Sequence, residues 1–252
     1  MSGHEPSAEG TGARLGGVPP ASGDVLALAE RFDLPELAAQ RLTALRDLVV
    51  SHPEAPTAVR TSRGVVRDHL ADSLIALERP ELRGAARVAD LGSGAGFPGL
   101  ALAVALPRTR VYLVESNKRK CRFLERAIEV ARAENAVVVP ARVESWADPR
   151  SSLDVVTARA LASLAVVAEY AAPLLRMGGT VIAWRGRRDL VAEAAAARAA
   201  AELGLEIHAP AAVHPYPEAE HRHLHLMSKV RDTPERFPRR PGVAAKHPLG
   251  IV

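Results

Sequence analysis

The sequence predicts an α/β fold with a mostly parallel sheet, because short apolar strands alternate with helices along most of the chain. Runs such as VVV and VIAW have no polar alternation, which is typical of strands buried on both faces. Near the C-terminus, two predicted strands are joined by the short segment HPYPE, and so short a joint permits only antiparallel pairing. Together these observations predict a parallel sheet that is completed by an antiparallel strand.

The chain before the predicted sheet divides into two parts. Residues 1–23 are rich in Gly, Ser, Pro and Ala and lack a periodic apolar pattern, which predicts a disordered tail. Residues 24–84 are predicted to form an N-terminal helical extension. Its helices should cover 34–50 and 63–77, where Leu and Val recur at helical spacing, and Pro80 should end the second one.

Residues 85–231 are predicted to form one domain with seven strands and four helices. The predicted strands cover residues 87–91, 111–114, 137–139, 153–157, 180–184, 206–213 and 223–230. The predicted helices cover residues 100–106, 118–132, 161–175 and 190–203. Residues 232–252 are predicted to be a basic C-terminal tail that packs on this domain.

The composition is that of a globular protein, with 48% hydrophobic and 25% charged residues and a net charge of +4. Cys121 is the only cysteine, so no internal disulfide can form and a reducing compartment is expected. No apolar stretch reaches the roughly 18–20 residues that a membrane span needs. We therefore expect a cytoplasmic monomer without membrane contact, and the mild positive charge is compatible with a polyanionic partner.

A glycine-rich turn follows the first predicted strand, in the segment VADLGSGAGFPG. Gly92, Gly94 and Gly96 stand at alternate positions after Asp90. Glycine is favoured where the backbone takes a positive φ or approaches a ligand closely. Ligands of open α/β sheets bind at the carboxyl ends of the strands, near the switch in strand order. The segment therefore predicts a cofactor site at the end of the first strand.

Two cofactors compete for this turn. The pattern G-x-G-x-x-G that begins at Gly94 fits the dinucleotide fingerprint, and Glu115 follows about 20 residues later, where an acid would bind a ribose. However, Asp90 gives the turn the form D-x-G-S-G-x-G, which is typical of proteins that bind S-adenosylmethionine (SAM). Pro98 also removes an amide that a pyrophosphate would need at the helix start. These details favour SAM, and Glu115 can accept both ribose hydroxyls of either cofactor.

Six segments are similar to motifs of one known family. They are HLADSL (His69–Leu74), VADLGSGAGFPGLALAVALP (Val88–Pro107), VYLVESNKRKCRFLERAI (Val111–Ile128), ARVESW (Ala141–Trp146), VVTARALASL (Val155–Leu164) and RFPRRPGVAAKHPLG (Arg236–Gly250). From His69 onwards the chain resembles the ribosomal small-subunit RNA methyltransferase G family, also called glucose-inhibited division protein B. It departs from the family by lacking a W-N-x-x-x-N-L-T stretch before HLADSL and by having Arg185–Gly186 where Lys-Gly is usual.

The resemblance implies a class I SAM-dependent methyltransferase, whose Rossmann-like α/β fold has a seven-stranded, mostly parallel sheet with an antiparallel last strand. It implies methyl transfer to N7 of a guanine in 16S rRNA, in a loop near the decoding site, on the small subunit or an assembly intermediate. By motif, the residues implied at the cofactor are Asp90, Gly92, Gly94, Gly96, Phe97, Glu115, Val143, Glu144 and Arg159. Val143 and Glu144 would hold the adenine end, and Arg159 would lie beside the methyl donor.

The chemistry of guanine N7 predicts no general base. N7 has a free lone pair and carries no proton when it attacks, so no catalytic residue is expected and orientation should supply most of the rate enhancement. The chain lacks the N-P-P-Y or D-P-P-Y motif typical of adenine amino-group methylation. Cys121 lies in a predicted helix rather than in a Pro-Cys loop, which disfavours 5-methylcytosine chemistry.

Clusters of basic residues predict contacts with RNA phosphates. The residues predicted to bind RNA are Arg185, Arg187 and Arg188 after the fifth strand, and Arg236, Arg239, Arg240 and Lys246 in the tail. The basic start of the helix at Lys118–Lys120 is as well explained by a solvated helix face as by RNA contact.

Other residues receive structural interpretations. His221, His223 and His225 alternate and should share one face of a strand, but no metal site is predicted for them. His69 is expected to brace the N-terminal helix against the sheet. Three other functions stay open at this point: a small-molecule methyltransferase of the same fold, a SAM-binding protein without activity, and a dinucleotide oxidoreductase.

Overall fold

The computed structural model describes residues 24–146 and 150–251, so the tail predicted at residues 1–23 lies outside the described residues. The N-terminal extension contains helices α1 (Val25–Arg31), α2 (Glu36–Ser51), α3 (residues 62–78) and α4 (Pro80–Arg83). Helix α1 was not predicted, because its seven residues are too few for a clear apolar period. The Asp24 carboxylate caps it by accepting from the backbone N–H of Leu26 at 2.7 Å.

Helix α3 is one continuous segment with an irregular interior. It begins after Thr61, whose hydroxyl accepts from the backbone N–H of Gly64 at 3.1 Å. Its middle, Val65–Ala71, is π-helical, and Ile75–Glu78 forms a final 3₁₀ turn. As expected, α3 ends before Pro80, at Glu78. Pro80 in turn begins α4, where the first turn does not need its missing N–H.

Within its described residues, the sheet domain contains eight strands. In chain order its elements are β1 (Arg87–Leu91), α5 (Gly99–Ala105), β2 (Arg110–Val114), α6 (Lys118–Ala131), β3 (Ala136–Val139), β4 (Leu153–Arg159), α7 (Leu164–Ala171), β5 (Leu175–Arg185), α8 (Leu190–Leu203), β6 (Leu205–Ile207), β7 (Ala211–Ala212) and β8 (His223–Lys229). The strand order is β3-β2-β1-β4-β5-β8-β6, and β7 also pairs with β8. Strands β1 to β5 pair in parallel, and β8 is antiparallel to its neighbours. This confirms the predicted fold class.

Two predicted elements differ from the structure because of prolines. The strand predicted over residues 206–213 is divided into β6 and β7, and Pro210 between them has no N–H to donate to a ladder. The helix predicted over residues 161–175 covers only α7, because Pro173 cannot continue it. Strand β5 consequently begins at Leu175 rather than at residue 180.

The two faces of the sheet are covered by different helices. Val88 of β1 packs in a cluster with apolar residues of α1, α2, α3, α5 and α6. Its neighbour Ala89 packs on the opposite face, with residues of α7 and α8 and with Phe237 and Ala244 of the C-terminal segment. The N-terminal extension therefore shares a core with the sheet, and the C-terminal segment, with the short helix α9 (Val243–Lys246), packs on the other face.

The strand order fixes where a ligand can enter. Strand β1 lies between β2 and β4, so the switch in strand order occurs between β1 and β4. In open α/β sheets this switch opens a crevice at the carboxyl ends of the strands. The segments that follow β1, β2 and β4 converge there.

Candidate functional site

The turn after β1 is built from glycines in a left-handed conformation. Gly92, Gly94 and Gly96 have φ angles of 70°, 57° and 93°. A Cβ on Gly92 would lie 2.6 Å from Cδ1 of Leu161, whereas a Cβ on Gly94 would meet nothing closer than 3.7 Å. Gly92 is therefore required by both conformation and packing. Gly94 leaves open space beside the turn.

Asp90 supports the turn from inside. Its side chain is buried, with Oδ2 accepting from the backbone N–H of Gly99 at 3.1 Å and Oδ1 accepting from the Thr157 hydroxyl at 2.9 Å. Burial raises the pKa of Asp90 to about 6, against the opposing effect of these hydrogen bonds. Since both oxygens have internal partners, Asp90 shapes the predicted cofactor site instead of facing into it.

Glu115 connects the end of β2 with the glycine turn. One carboxylate oxygen accepts from the backbone N–H of Gly94 at 3.2 Å, and the other accepts from Asn117 N–H at 2.8 Å. A carboxylate has about four acceptor positions, so further hydrogen bonds remain available to it. The structure thus brings Glu115 and Gly94 together, as the predicted cofactor site requires.

Val143 and Glu144 lie in a 3₁₀ turn, Val143–Ser145, after β3. Val143 is buried in the same core cluster as Ala89 of β1. Oε1 of Glu144 accepts from the Tyr170 hydroxyl at 3.1 Å and from the backbone N–H of Gly242 at 2.9 Å. The carboxylate predicted to hold adenine is therefore also an anchor for the C-terminal segment.

Arg159 extends from the end of β4 to helix α3. Its Nη1 donates to Oδ2 of Asp72 at 2.8 Å and to the carbonyl of Asp68 at 2.9 Å. The Asp72 side chain is only 8% exposed and the Arg159 side chain 17%. The pair is therefore largely buried, and it neutralises the charge of the arginine that the motif places beside the methyl donor.

His69 links the same helix to the glycine turn. Its ring is stacked on that of Phe97, with centroids 4.7 Å apart and planes 14° apart. Nδ1 lies 3.2 Å from Nη2 of Arg159 and 3.1 Å from the carbonyl oxygen of Asp68. Nε2 lies 2.8 Å from the Thr57 hydroxyl. Burial and the charge of Arg159 lower the pKa of His69 to about 4, so the ring is neutral and has the bracing role expected of it.

Asp72 and Arg222 are site residues that the sequence reasoning missed. They line a pocket of about 360 Å³ with Asp68, Arg159, Ala160, Trp184, Arg185 and Gly186, at the carboxyl ends of β4 and β5. Asp72 belongs to the HLADSL motif, which pointed to this helix, but the motif alone did not assign a role to Asp72. Arg222 stands between histidines in a segment that offered no signal.

Four of the seven cations predicted to bind RNA have partners within the protein. Arg185 donates to the carbonyl of Ala162, and burial lowers its pKa. The other three form ion pairs with glutamates: Arg188 with Glu193, Arg236 with Glu202 at 3.0 Å, and Arg239 with Glu169 at 2.6 Å. Arg187, Arg240 and Lys246 are exposed and form no ion pair with the described residues. The two predicted clusters therefore contain four cations that already have partners within the protein and three that are available to an external anion.

Among these four cations, Arg239 is the one bound to a fully buried carboxylate. Its guanidinium makes two hydrogen bonds to Glu169, whose side chain is fully buried, and a further one to the carbonyl of His247 at 2.8 Å. Its backbone N–H also donates to Glu169 at 3.0 Å. These contacts fix the C-terminal segment on α7 and make Arg239 a structural residue.

The histidines of β8 do not form a shared site. His223 lies 2.8 Å from the carbonyl of Gly186, while His225 is buried near Glu193, and burial lowers its pKa. Among the described residues, no three His, Cys, Asp or Glu side chains are arranged to hold a metal ion. Within residues 24–146 and 150–251, no helix is long and apolar enough to cross a membrane.

Solved structures with related folds include YcgJ from Bacillus subtilis, which aligns with a TM-score of 0.51 and 16% identity over 65% of this chain and all of its own. Fibrillarin from Aeropyrum pernix, solved with bound SAM, aligns with a TM-score of 0.50 and 20% identity over 62% of this chain and 72% of its own. At these identities the likeness concerns the fold alone.

Sequence comparison is more specific. A protein named ribosomal RNA small subunit methyltransferase G from Chloroflexus aggregans is 43% identical over 196 residues, covering 77% of this chain and 82% of its own. One of the same name from Rubrobacter xylanophilus is 42% identical over 197 residues, covering 75% of each chain. The family model described as rRNA small subunit methyltransferase G matches residues 55–219, a range that includes the glycine turn, Glu115 and Arg159. The chain belongs to the rRNA small subunit methyltransferase G family.

Proposed function

We propose that this protein transfers a methyl group from SAM to N7 of a guanine in 16S rRNA, in the loop near the decoding site. The observation that carries the proposal is the family match over residues 55–219 together with the geometry inside it. There the glycine turn, Glu115 and Arg159 meet at the switch in strand order. The sequence motifs and the topology therefore point to the same crevice.

The residues of the crevice fit SAM. The space beside Gly94 allows a ligand to approach the backbone, and the Glu115 carboxylate keeps acceptor positions for ribose hydroxyls. Val143 and Glu144 would border the adenine end, although Glu144 also accepts from Gly242. When bound, SAM would supply an electrophilic methyl group on a sulfonium.

The protein's own contribution to catalysis is orientation. The guanine N7 lone pair forms the new C–N bond while the C–S bond breaks and its electrons pass to sulfur, so no proton has to be moved. Holding the reacting atoms in line can supply a large effective molarity. Arg159, which would lie beside the methyl donor, forms an ion pair with Asp72 that would limit its repulsion of a sulfonium.

The available cations are suited to the phosphates of the RNA. Arg187 follows β5 at the ligand end of the sheet, and Arg240 and Lys246 are exposed in the C-terminal segment. Each phosphate contact releases condensed counterions and makes affinity depend on salt. We expect the enzyme to act as a monomer on the small subunit or an assembly intermediate, which sedimentation of the protein with and without subunits would test.

The central experiment measures tritiated methyl transfer to small subunits that lack the modification, followed by mapping of the modified nucleotide. We expect a single N7-methylguanine in 16S rRNA. A matched control is Glu115→Ala, which should abolish SAM binding in calorimetry and the transfer with it. No incorporation by wild-type protein that binds SAM would reject the proposal and favour a SAM-binding protein without activity.

Two further measurements distinguish this function from the other candidates. A small-molecule methyltransferase should retain its activity when Arg187, Arg240 and Lys246 are all replaced by glutamine, whereas an rRNA enzyme should lose affinity for subunits. The design leaves Arg239 unchanged because it holds the fold. Calorimetry with NAD in place of SAM tests the dinucleotide alternative.

A further inference from the structure

Two buried polar atoms without hydrogen-bond partners belong to residues of one pocket. Among the described residues, the buried side-chain atoms without a partner are Nε of Arg41, Arg79 and Arg185 and Oδ1 of Asp72. Asp72 and Arg185 both line the pocket of about 360 Å³ at the ends of β4 and β5. Buried polar atoms in folded proteins are nearly always paired. The coincidence of an unpaired acceptor and an unpaired donor indicates a ligand with both functions.

Asp72 is held rigidly in this pocket. The residue is 6% exposed, and its Oδ2 is fixed by Nη1 of Arg159 at 2.8 Å. Its backbone carbonyl accepts from Nε1–H of Trp184 at 2.6 Å. These contacts leave Oδ1 as an oriented acceptor whose position does not depend on the ligand.

Arg222 covers this acceptor without hydrogen-bonding to it. Its Nε lies 3.3 Å from Oδ1 of Asp72, but the geometry is not that of a hydrogen bond. The Arg222 side chain is 38% exposed, and its Nη atoms donate to the His221 carbonyl and the Tyr216 hydroxyl, each at 3.2 Å. A ligand that reaches Oδ1 therefore has to displace Nε of Arg222 toward solvent. A ligand with donors at that place would replace this ion-pair contact by hydrogen bonds, while Arg159 still neutralises the charge of Asp72.

Guanine has the complementary edge. Its O6 is an acceptor, and the adjacent N1–H and 2-amino groups are donors. Adenine has the opposite pattern, with a donor at position 6 and an acceptor at N1, although it also presents N7. A buried carboxylate that meets an acceptor instead of a donor is strongly disfavoured. The unpaired atoms of this pocket therefore distinguish the two purines.

We propose that Asp72 is a specificity-determining residue that selects guanine. Its Oδ1 accepts from N1–H and the 2-amino group in place of Arg222, while Nε of Arg185 donates to O6. The inference rests on the proposed function, because it takes the methylated base to enter this pocket.

The wild-type enzyme provides the first test. Small subunits are prepared with guanine, inosine or adenine at the target position, and kcat/KM for methyl transfer is measured on each. Inosine lacks only the 2-amino group, and its kcat/KM should be lower by at least roughly 10-fold, the effect of one hydrogen bond to a charged group. Equal values for guanine and inosine would overturn the proposal. Failure on the guanine subunits themselves would instead reject the proposed function.

Asp72→Asn provides the second test. We expect the amide oxygen to keep the hydrogen bond from Arg159, since Arg222 makes none to the other atom. The amide NH₂ then faces the pocket and opposes the donors of guanine. The same NH₂ suits N1 of adenine, so the variant should methylate adenine subunits about 10-fold faster than the wild type. A purely structural role would lower both activities, and an adenine rate no higher than that of the wild type would overturn the assignment.

Asp68→Asn is the matched control. Asp68 lines the same pocket, but both of its oxygens accept from Arg67, at 2.9 and 3.0 Å. We expect this variant to keep the wild-type preference for guanine over inosine and adenine. Calorimetry with SAM checks that both variants retain the cofactor site, and a shifted preference in Asp68→Asn would also count against the role of Asp72.

Discussion

Replacing Arg239 by methionine removes the cationic partner of a carboxylate that has no access to solvent. Glu169 is 0% exposed, and two of its hydrogen bonds come from the Arg239 guanidinium, at 2.9 and 2.6 Å. Loss of one member of a buried ion pair typically costs about 3–5 kcal/mol, because the remaining charge stays buried. The Arg239 side chain is 24% exposed, so water can partly replace it. We expect the lower end, about 3 kcal/mol of unfolding free energy.

This loss is large enough for thermal unfolding to detect. At about 2–4 °C per kcal/mol for a chain of this size, Tm should fall by roughly 6–12 °C. The matched control is Arg236→Met, whose pair with Glu202 is mostly solvated, at 63% and 41% exposure. Such exposed pairs contribute about 0–1 kcal/mol. A second replacement, Glu169→Gln, should restore part of the stability of Arg239→Met because it removes the buried charge.

Equal unfolding free energies for Arg239→Met and Arg236→Met would refute this reasoning. That result would mean that the C-terminal segment leaves α7 easily, and Arg239 would then be available to RNA after all. The experiment therefore also decides whether Arg239 belongs with the RNA-binding cations that the sequence predicted.

Three further predictions follow from the site. Gly92→Ala should unfold at a lower denaturant concentration than Gly94→Ala, because only the former also brings a Cβ within 2.6 Å of Leu161, and equal midpoints would contradict this. The pKa of His69 is lowered from 6.5 to about 4, so the contribution of the neutral ring to stability is present above pH 6.5 and lost as pH falls through 4. An NMR titration should find the ring neutral at pH 6. A titration midpoint near 6.5 would count against the burial of this ring. Burial raises the pKa of Asp90 from 3.8 to about 6, so the contribution of this residue to stability is present below pH 3.8 and lost as pH rises through 6. The stability of Asp90→Asn relative to wild type should therefore increase between pH 3.8 and 6. Denaturation at several pH values checks this.

The fold could be predicted from the sequence because most of its strands are continuous apolar runs. The parallel pairing of β1 to β5 was expected from their alternation with helices, and the antiparallel pairing of β8 with β6 and β7 from one short joint. The strand order itself was not predicted. The errors arose where a single residue overrides a longer pattern, as Pro173 shortens α7 and Pro210 divides the sixth predicted strand. Helix α1 was not predicted, because its seven residues contain too few turns to establish a period of apolar residues.

The cofactor crevice was predictable for a different reason. The glycine turn and Glu115 are local signals, and each lies at the end of a strand whose position the fold determines. The roles of the cations were not predictable, since the partner of Arg236 lies 34 positions away and that of Arg239 lies 70 positions away. Sequence shows where charge is concentrated, but only the folded arrangement shows which charges are already neutralised.

At Asp72, an ion pair within the protein also bears on the proposed function. One of its oxygens accepts from Arg159 beside the predicted methyl donor, and the other, near Arg222, has no hydrogen-bond donor in the adjacent pocket. The carboxylate that moderates the charge at the donor is thus the same group that is proposed to select the acceptor base. A change at Asp72 must therefore act on both sides of the reaction, which is why its effect has to be read as a preference between bases and not as a rate on one substrate.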